Sequence, residues 1–336
     1  MKKIATAAAS RRTVLASFAG AALAATVGWP TPASAQADYP SRPISLIVPY
    51  NPGATPDIIA RLVAPKLSVA LGQPVTVLNR TGAGSNIGTR AIVTAPPDGY
   101  TFGIVGNPQT IHHLVSKNPS YNFARDVTPI TNAAAGFYAL MLNPQRVNAR
   151  SVAELVAYAK ANPGKLQYGS GGIATSPHLV GEWFKSLTGT SILHVPYSGT
   201  TGQTVALLNG EIDIAFTSPI YVAEHVKAGK LRPLAVTLPE RDKSFFPSVP
   251  TMRASGFDMT YEYWIGFVGP AGVPDAITQR LNKEIVAILK SPDIAETLSK
   301  AGLDPVGDTR EQFRATIENE TQLMTRLVQA ARIEPN

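Results

Sequence analysis

Short apolar runs rich in β-branched residues alternate with helix-length amphipathic segments along most of this chain, and that alternation leaves few architectures open. Ile44 to Tyr50 is one such run, Asp57 to Leu71 sets Ile58, Ile59, Leu62, Val63 and Leu67 at helical spacing, and Val75 to Leu78 is apolar again. Strand, helix, strand in that order is a βαβ unit, whose parallel strands need the crossover that the helix supplies. A helix over Asn86 to Thr94 and a strand over Thr101 to Val105 extend it, joined by the turn "PPDGY".

A second unit follows. Tyr138 to Leu142 reads as a strand, Ser151 to Ala161 as a helix capped by Ser151 with Glu154 three residues on, and Gln167 to Gly169 as the end of a strand. Helices near Pro177 to Leu187 and Gly202 to Leu208 then alternate with strands at Ile192 to Val195, Ile212 to Phe216 and Leu234 to Thr237. After Pro250 comes the aromatic strand "YEYWIGFVGP" and helices near Pro274 to Leu289 and Pro292 to Lys300. One strand with a few helices makes a poor core alone. This tail is therefore expected to return and pack on the first unit, a separate helical cap being the alternative. With 336 residues, 44% of them apolar, the chain can fill two cores.

The first 35 residues stand apart. Lys2, Lys3, Arg11 and Arg12 precede the apolar run Thr13 to Gly28 and the small-x-small site Ala33-Ser34-Ala35, the form of a cleavable export signal. The run is 16 residues, short of the roughly 20 that span a bilayer. "SRRTVLA" resembles the twin-arginine signal, with Val14 in place of the usual Phe and Ala16 in place of the frequent Lys. A periplasmic location is expected. Cleavage removes four basic residues and no acidic one, leaving 26 against 23, a net of +3. No basic run remains, so nucleic acid is dropped as a partner. The absence of cysteine removes disulfides, thiol catalysis and thiolate metal sites.

Two loops share one design. The strand ending at Tyr50 runs through Asn51-Pro52-Gly53-Ala54 into a helix with Thr55 as its expected N-cap and Pro56 at its first position. The strand ending at Gly169 runs through "SGGIATSPH" into a helix where Ser176 is the expected cap and Pro177 follows. A helix start carries about half a positive charge and free N–H donors, so each loop suits an anion. Nucleotide phosphate is disfavoured: in "GAGSNIG" the glycine at 88 stands one residue too far for the dinucleotide fingerprint, and no phosphate-loop Gly-Lys pattern exists. There is no G-x-S-x-G elbow or H-E-x-x-H pair, and the five histidines lack metal-ligand spacing. No cofactor, metal or catalytic activity is expected. His178 stands out for lying just inside the second loop, and Asp57 reads as a brace paired with Arg61.

"YPSRPISLIVPYNPGATPDIIAR", "LGQPVTVLNRTGAGSNIG", "PPDGYTFGI", "ANPGKLQYGSGGIATSPHL", "HVPYSGTTGQTVALLNGEID", "GKLRPLAV" and "PSVPTMRASGF", in that order, resemble the tripartite tricarboxylate transporter substrate-binding family, also called the Bug family. The resemblance runs from Tyr39 to about residue 330. It implies an α/β, periplasmic-binding-protein-like fold of type II, with domain 1 over 39–137 and 250–336, domain 2 over 138–249, and a ligand cleft between them. It further implies a monomeric, non-enzymatic receptor that delivers a dicarboxylate or tricarboxylate to a two-component membrane permease.

In that family two loops grip a ligand carboxylate, which carries over to Tyr50, Pro52, Gly53, Ala54 and Thr55 in the first loop. In the second it carries over to Ser170, Gly171, Ala174, Thr175 and Ser176. Tyr50 replaces a common Phe, Ala54 a second glycine, and Pro56 a small or hydroxyl residue; proline removes one N–H. Asn107, Tyr197 and Thr217, at strand ends or turns, are candidates to hold a second carboxylate. Phe137, Tyr138, Tyr50, Tyr197 and Trp264 suggest an aromatic dicarboxylate such as terephthalate or another phthalate isomer, against a core role for most of them. The alternatives are a solute sensor for a membrane receptor and an exported serine hydrolase using Ser170 or Ser176 with His178.

Overall fold

The computed structural model describes residues 39–330, 333 and 335; the expected export signal, with its twin-arginine and cleavage features, lies outside them. The first sheet holds six strands: β1 (Ile44–Val48), β2 (Val75–Asn79), β3 (Thr101–Gly106), β4 (Val127–Phe137), β10 (Glu262–Pro270) and the two-residue β11 (Asp304–Pro305), in the order β11-β4-β10-β3-β1-β2. β1 pairs in parallel with β2 and β3, Leu46 lying opposite Val77 and Phe102. β10 enters antiparallel between β3 and β4, so the segment after Pro250 is built into the first sheet.

The second sheet holds β5 (Ala139–Leu142), β6 (Gln167–Ser170), β7 (Leu193–Pro196), β8 (Ile214–Thr217) and β9 (Arg232–Val236), in the order β7-β6-β8-β5-β9. β6 is parallel to β7 and β8, whereas β5 is antiparallel to β8 and β9.

The helices are α1 (Thr55–Leu71), α2 (Asn86–Val93), the single turns α3 (His112–Val115) and α4 (Phe123–Asp126), α5 (Val152–Ala161), α6 (Ser176–Thr188), α7 (Thr200–Asn209), α8 (Ala223–Lys227), α9 (Asp275–Leu289), α10 (Pro292–Lys300) and α11 (Arg310–Ala330). None among the described residues is long and apolar enough to cross a membrane. Ser151 caps α5, its hydroxyl accepting the Glu154 N–H at 3.1 Å.

Two elements escape the sequence reading. β4, "VTPITNAAAGF", is almost wholly buried yet contains Pro129 and Asn132 and a run of small residues, which breaks both alternation and β-propensity. The register shift between Phe267 and Val268 lies where Pro129 pairs, which is where a proline is tolerated within a sheet. α11 is the other. Its buried positions Phe313, Ile317, Glu320, Met324, Leu327 and Val328 recur at helical spacing, but a glutamate fills the middle of the stripe.

Only Tyr138 separates β4 from β5, so the chain passes from one sheet to the other within a residue. The return passage lies alongside: Thr237 N–H donates to the Tyr138 carbonyl at 2.9 Å and Tyr261 N–H to the Thr237 carbonyl at 2.8 Å. α11 makes a third link. Phe313 and Ile317 pack with Trp264 and Phe123 in the core of the first sheet, whereas Met324, Leu327 and Val328 pack with Leu179, Val180 and Phe184 in the core of the second.

Candidate ligand cleft

The first loop is built around a carboxylate of its own. Asp57, 1% exposed, accepts the Gly53 N–H at 2.9 Å, the Arg61 Nε–H at 3.0 Å and the Asn79 Nδ2–H at 2.8 Å. Burial pushes this carboxyl up, and the bonds from Arg61, Asn79 and Gly53 outweigh it, leaving it below the ordinary carboxylate range. The Ala54 N–H is also engaged, by the Asn51 carbonyl at 3.1 Å. Neither Gly53 nor Ala54, the donors suggested by the loop sequence, therefore has a free amide.

The N-cap of α1 is Ala54, with no side-chain cap, so Thr55 is the first helical residue and Pro56 the second. Among the described residues the first-turn amides of Thr55 and Asp57 have no acceptor, and these are the donors the loop leaves open. Pro52 is exposed. Tyr50 sits behind the loop, its hydroxyl donating to Gln109 Oε1 at 2.8 Å and accepting the Gly106 N–H at 2.9 Å, and burial pushes its phenol up.

The second loop repeats the arrangement with imidazoles. Ala174 holds φ of 61°, unusual for a residue with a side chain, and its N–H donates to His178 Nδ1 at 3.0 Å. His178 stacks on His194 at 4.0 Å between centroids, and His194 Nε2 lies 2.7 Å from the Ser170 hydroxyl. Burial lowers both imidazoles, His194 to about 4, so both are neutral near pH 7 and Nδ1 of His178 stays an acceptor.

The N-cap is Thr175 and not Ser176; the Thr175 hydroxyl donates to the Gly172 carbonyl at 2.7 Å. Gly171 is packed against Gly199, and a Cβ there would come within 3.3 Å of backbone. Tyr197 lies under the loop, its N–H on the Ser170 carbonyl at 3.0 Å. The open donors are again first-turn amides, those of Ser176 and His178.

These contacts correct the hydrolase pairing. Ser170 is fully buried and partnered by His194, and the Ser176 hydroxyl accepts from Asn107 Nδ2 at 3.0 Å. Neither serine pairs with His178, and the Ser170 hydroxyl is engaged by the Gly172 carbonyl at 2.9 Å as well as by His194.

Asn107, at the C-terminal end of β3, reaches across to α6. Its Nδ2 faces Ser176 Oγ, the Tyr261 hydroxyl and Glu320 Oε1, so its amide is committed. Thr217 differs from the other candidates: it ends β8, is 1% exposed, and its hydroxyl has no partner among the described residues. The next residue, Ser218, bonds the Tyr263 hydroxyl at 3.1 Å, and Tyr263 and Tyr261 both lie against the Tyr138 ring, at 5.1 and 5.9 Å.

Trp264 is core, edge-on to Phe313 at 5.1 Å, and Phe137 is buried among residues of the second sheet. The aromatics at the crossing are thus Tyr138, Tyr261 and Tyr263. Beside the first loop lies a cavity of about 300 Å³ whose walls include Gly53, Thr55, Ile58, Leu62, Ile220 and Tyr221. Ile58 and Leu62, two of the apolar residues at helical spacing in α1, face this cavity, and Ile58, Ile220 and Tyr221 are all more than 40% exposed.

The family profile described as "Tripartite tricarboxylate transporter family receptor" matches residues 59–333. The chain belongs to this family. Among its curated relatives, Protein BugT of Bordetella pertussis is 35% identical over 301 residues, covering 89% of this chain and 91% of that protein. The "UPF0065 protein in tcbD-tcbE intergenic region" of Pseudomonas sp. (strain P51) is 33% identical over 330 residues, covering 97% and 96%.

Two solved structures superpose over nearly their whole length. The first, described as "Structure of a periplasmic transporter", has a TM-score of 0.75 at 35% identity, over 88% of this chain and 99% of that one. The second, "R. palustris Rpa4515 with adipate", has a TM-score of 0.76 at 30% identity, over 89% and 100%. The receptor fold is thus the mixed α/β, two-sheet fold of periplasmic solute-binding proteins.

Proposed function

We propose that this receptor captures an organic dicarboxylate or tricarboxylate between its two sheets and delivers it to a two-component membrane permease of the tripartite tricarboxylate type. In this reading, 39–137 with 250–336 and 138–249 form two lobes that close on the ligand, and the chain reaches the periplasm through the twin-arginine-like signal. The observation that carries the proposal is the pair of helix starts, α1 and α6, each at the end of a parallel strand with first-turn amides open, while the carboxylate and imidazoles beside them are engaged in holding the loops. The adipate held by the Rhodopseudomonas protein, a dicarboxylate in a relative of 30% identity, supports the same ligand class.

Thr55 and Ser176 are the proposed anchors of the grip, through their amides. Pro52, Gly53, Ala54, Gly171, Ala174 and Thr175 shape the two loops, and Tyr50, Ser170 and Tyr197 brace them. Thr217 offers a buried hydroxyl. Bonds to a charged group contribute roughly 1.5–3 kcal/mol each, so a few reach micromolar affinity, about 8 kcal/mol, after ordering costs. The exposed apolar wall of Ile58, Ile220 and Tyr221, with the tyrosines at the crossing, favours a ligand with a hydrocarbon or aromatic body, terephthalate being the candidate.

Calorimetry on residues 36–336 with adipate, terephthalate, succinate, citrate and glutamate tests the class. Heat from the dicarboxylates is expected, and silence from all five sinks the proposal.

A further inference from the structure

Glu320 occupies a position in the α11 stripe where the helix would otherwise carry an apolar residue, between the two parts of the helix that pack into different cores. A buried carboxyl without a cation is costly, and among the described residues no ion pair involves Glu320. Its Oε1 accepts from Asn107 Nδ2 and from the Tyr261 hydroxyl, each at 2.9 Å. Asn107 Nδ2 also lies 3.0 Å from Ser176 Oγ, at the first residue of α6. Three buried side chains thus run from the C-terminal helix to the open amides of the second loop.

The amide hydrogens of Asn107 are short by one. Asn107 Nδ2 has two, but three oxygens lie within bonding reach: Ser176 Oγ, the Tyr261 hydroxyl and Glu320 Oε1. With Glu320 ionised, Asn107 serves Glu320 and Ser176 while Tyr261 donates to Glu320. With Glu320 protonated, its own O–H can serve Tyr261 and Asn107 is released toward Ser176. The protonation state of Glu320 therefore decides whether Asn107, bonded to Ser176 at the start of α6, is also held by a carboxylate on its other side.

We infer that Glu320 is a positioning residue for the carboxylate-binding start of α6, and that capture of an anionic ligand there takes up a proton from solvent at Glu320; this rests on the carboxylate reading above. A ligand carboxylate on the Ser176 amide stands one side chain beyond Asn107 from Glu320. Two negative charges that close, in a site little exposed to water, oppose each other.

The other ionisable groups on elements packed against this stretch do not supply a compensating cation. Tyr138 and Tyr261 are held neutral by burial. His178 on α6 and His112 and His113 on α3 are lowered by burial, and Lys185 on α6 is paired with Glu182. On α4, Arg125 and Asp126 are paired with each other. Burial pushes Glu320 up to about 7, bonds from Asn107 and Tyr261 pulling against it, so both of its states are populated near neutral pH.

The test is proton uptake when adipate is added to residues 36–336 in weakly buffered solution from about pH 6 to 9, where adipate itself stays ionised. A substantial fraction of one proton per bound adipate is expected just above neutrality, shrinking toward about pH 6, where Glu320 is already mostly protonated. Affinity should drop by up to about tenfold per pH unit above about 7 and level off below it. Glu320→Gln should bind with an affinity that no longer depends on pH in this range.

Adipate heat without uptake in the wild type, or equal uptake in E320Q, overturns the inference and leaves the carboxylate reading standing. No heat from any dicarboxylate overturns both. The wild-type pH profile decides the matter by itself if E320Q does not fold.

Discussion

Replacing Asp57 by alanine should loosen the first loop and lower stability together. The side chain accepts three bonds, of unequal weight. Arg61 is about half exposed and returns to water, so its ion pair contributes at most about 1 kcal/mol. Asn79 Nδ2 retains the Tyr50 carbonyl at 3.0 Å, and the Gly53 amide is near solvent, so each bond to the charged acceptor belongs near the lower end of about 1.5–3 kcal/mol. Allowing for non-additivity, Asp57→Ala should cost about 2–4 kcal/mol. Asp57→Asn should cost about half as much, because its carboxamide oxygen can still accept the Gly53 N–H while its amino group faces donors.

Urea unfolding followed by circular dichroism measures the first effect, and adipate titration the second, where weaker binding is expected. The acid limb gives an independent check. Because the fold favours the ionised form, the contribution of Asp57 is present in full above about pH 4 and lost as pH falls below it. Asp57→Asn should flatten that part of the stability curve. An Asp57→Ala protein within about 0.5 kcal/mol of wild type, with unchanged adipate affinity, would refute the reasoning.

Four further outcomes follow from the same contacts. Thr217→Val removes a buried hydroxyl without a partner, so unfolding should be unchanged or up to about 1 kcal/mol harder, while calorimetry shows weaker ligand binding. Pro56→Ala adds an amide at the second position of α1; it should tighten adipate binding by up to about tenfold, the equivalent of one further charge-assisted bond. Gly88→Ala would set its Cβ 2.3 Å from the Arg80 carbonyl oxygen and 2.8 Å from Pro49 Cα, both backbone, and should lower the unfolding free energy by about 3 kcal/mol or more. His194 is lowered to about 4 by burial and by His178, so its neutral-state contribution is full above about pH 6.5 and falls as pH drops toward 4; His194→Phe should reduce the slope of stability in that window, read by thermal unfolding at several pH values.

Much of the fold is legible because local chemistry announces it. β1, α1 and β2 follow from periodicity and proline placement, and the Ser151 to Glu154 cap forms as its residue types require. The two loops with their proline-started helices are equally local, and the family is legible in seven ordered segments. β4 and α11 are not. Each is stabilised by what it packs against: β4 by strands on both sides despite its proline, and α11 by two different cores on either side of a glutamate.

The donors at the site divide in the same way. Sequence located both loops, because a strand end followed by a proline-started helix is a local pattern. It could not assign their hydrogen bonds, because the acceptors that occupy Gly53 and Ala174 are side chains whose reach depends on the folded turn. Nor could it join Asn107, Ser176, Tyr261 and Glu320, spread over more than 200 residues of chain. The sequence by itself determined the alternating α/β texture, the paired helix starts and the absence of thiol chemistry, all properties of near neighbours. Only the tertiary structure decided which amides remain open, which aromatics stand at the crossing and where a buried carboxyl sits, because burial and long-range pairing are properties of the packed whole.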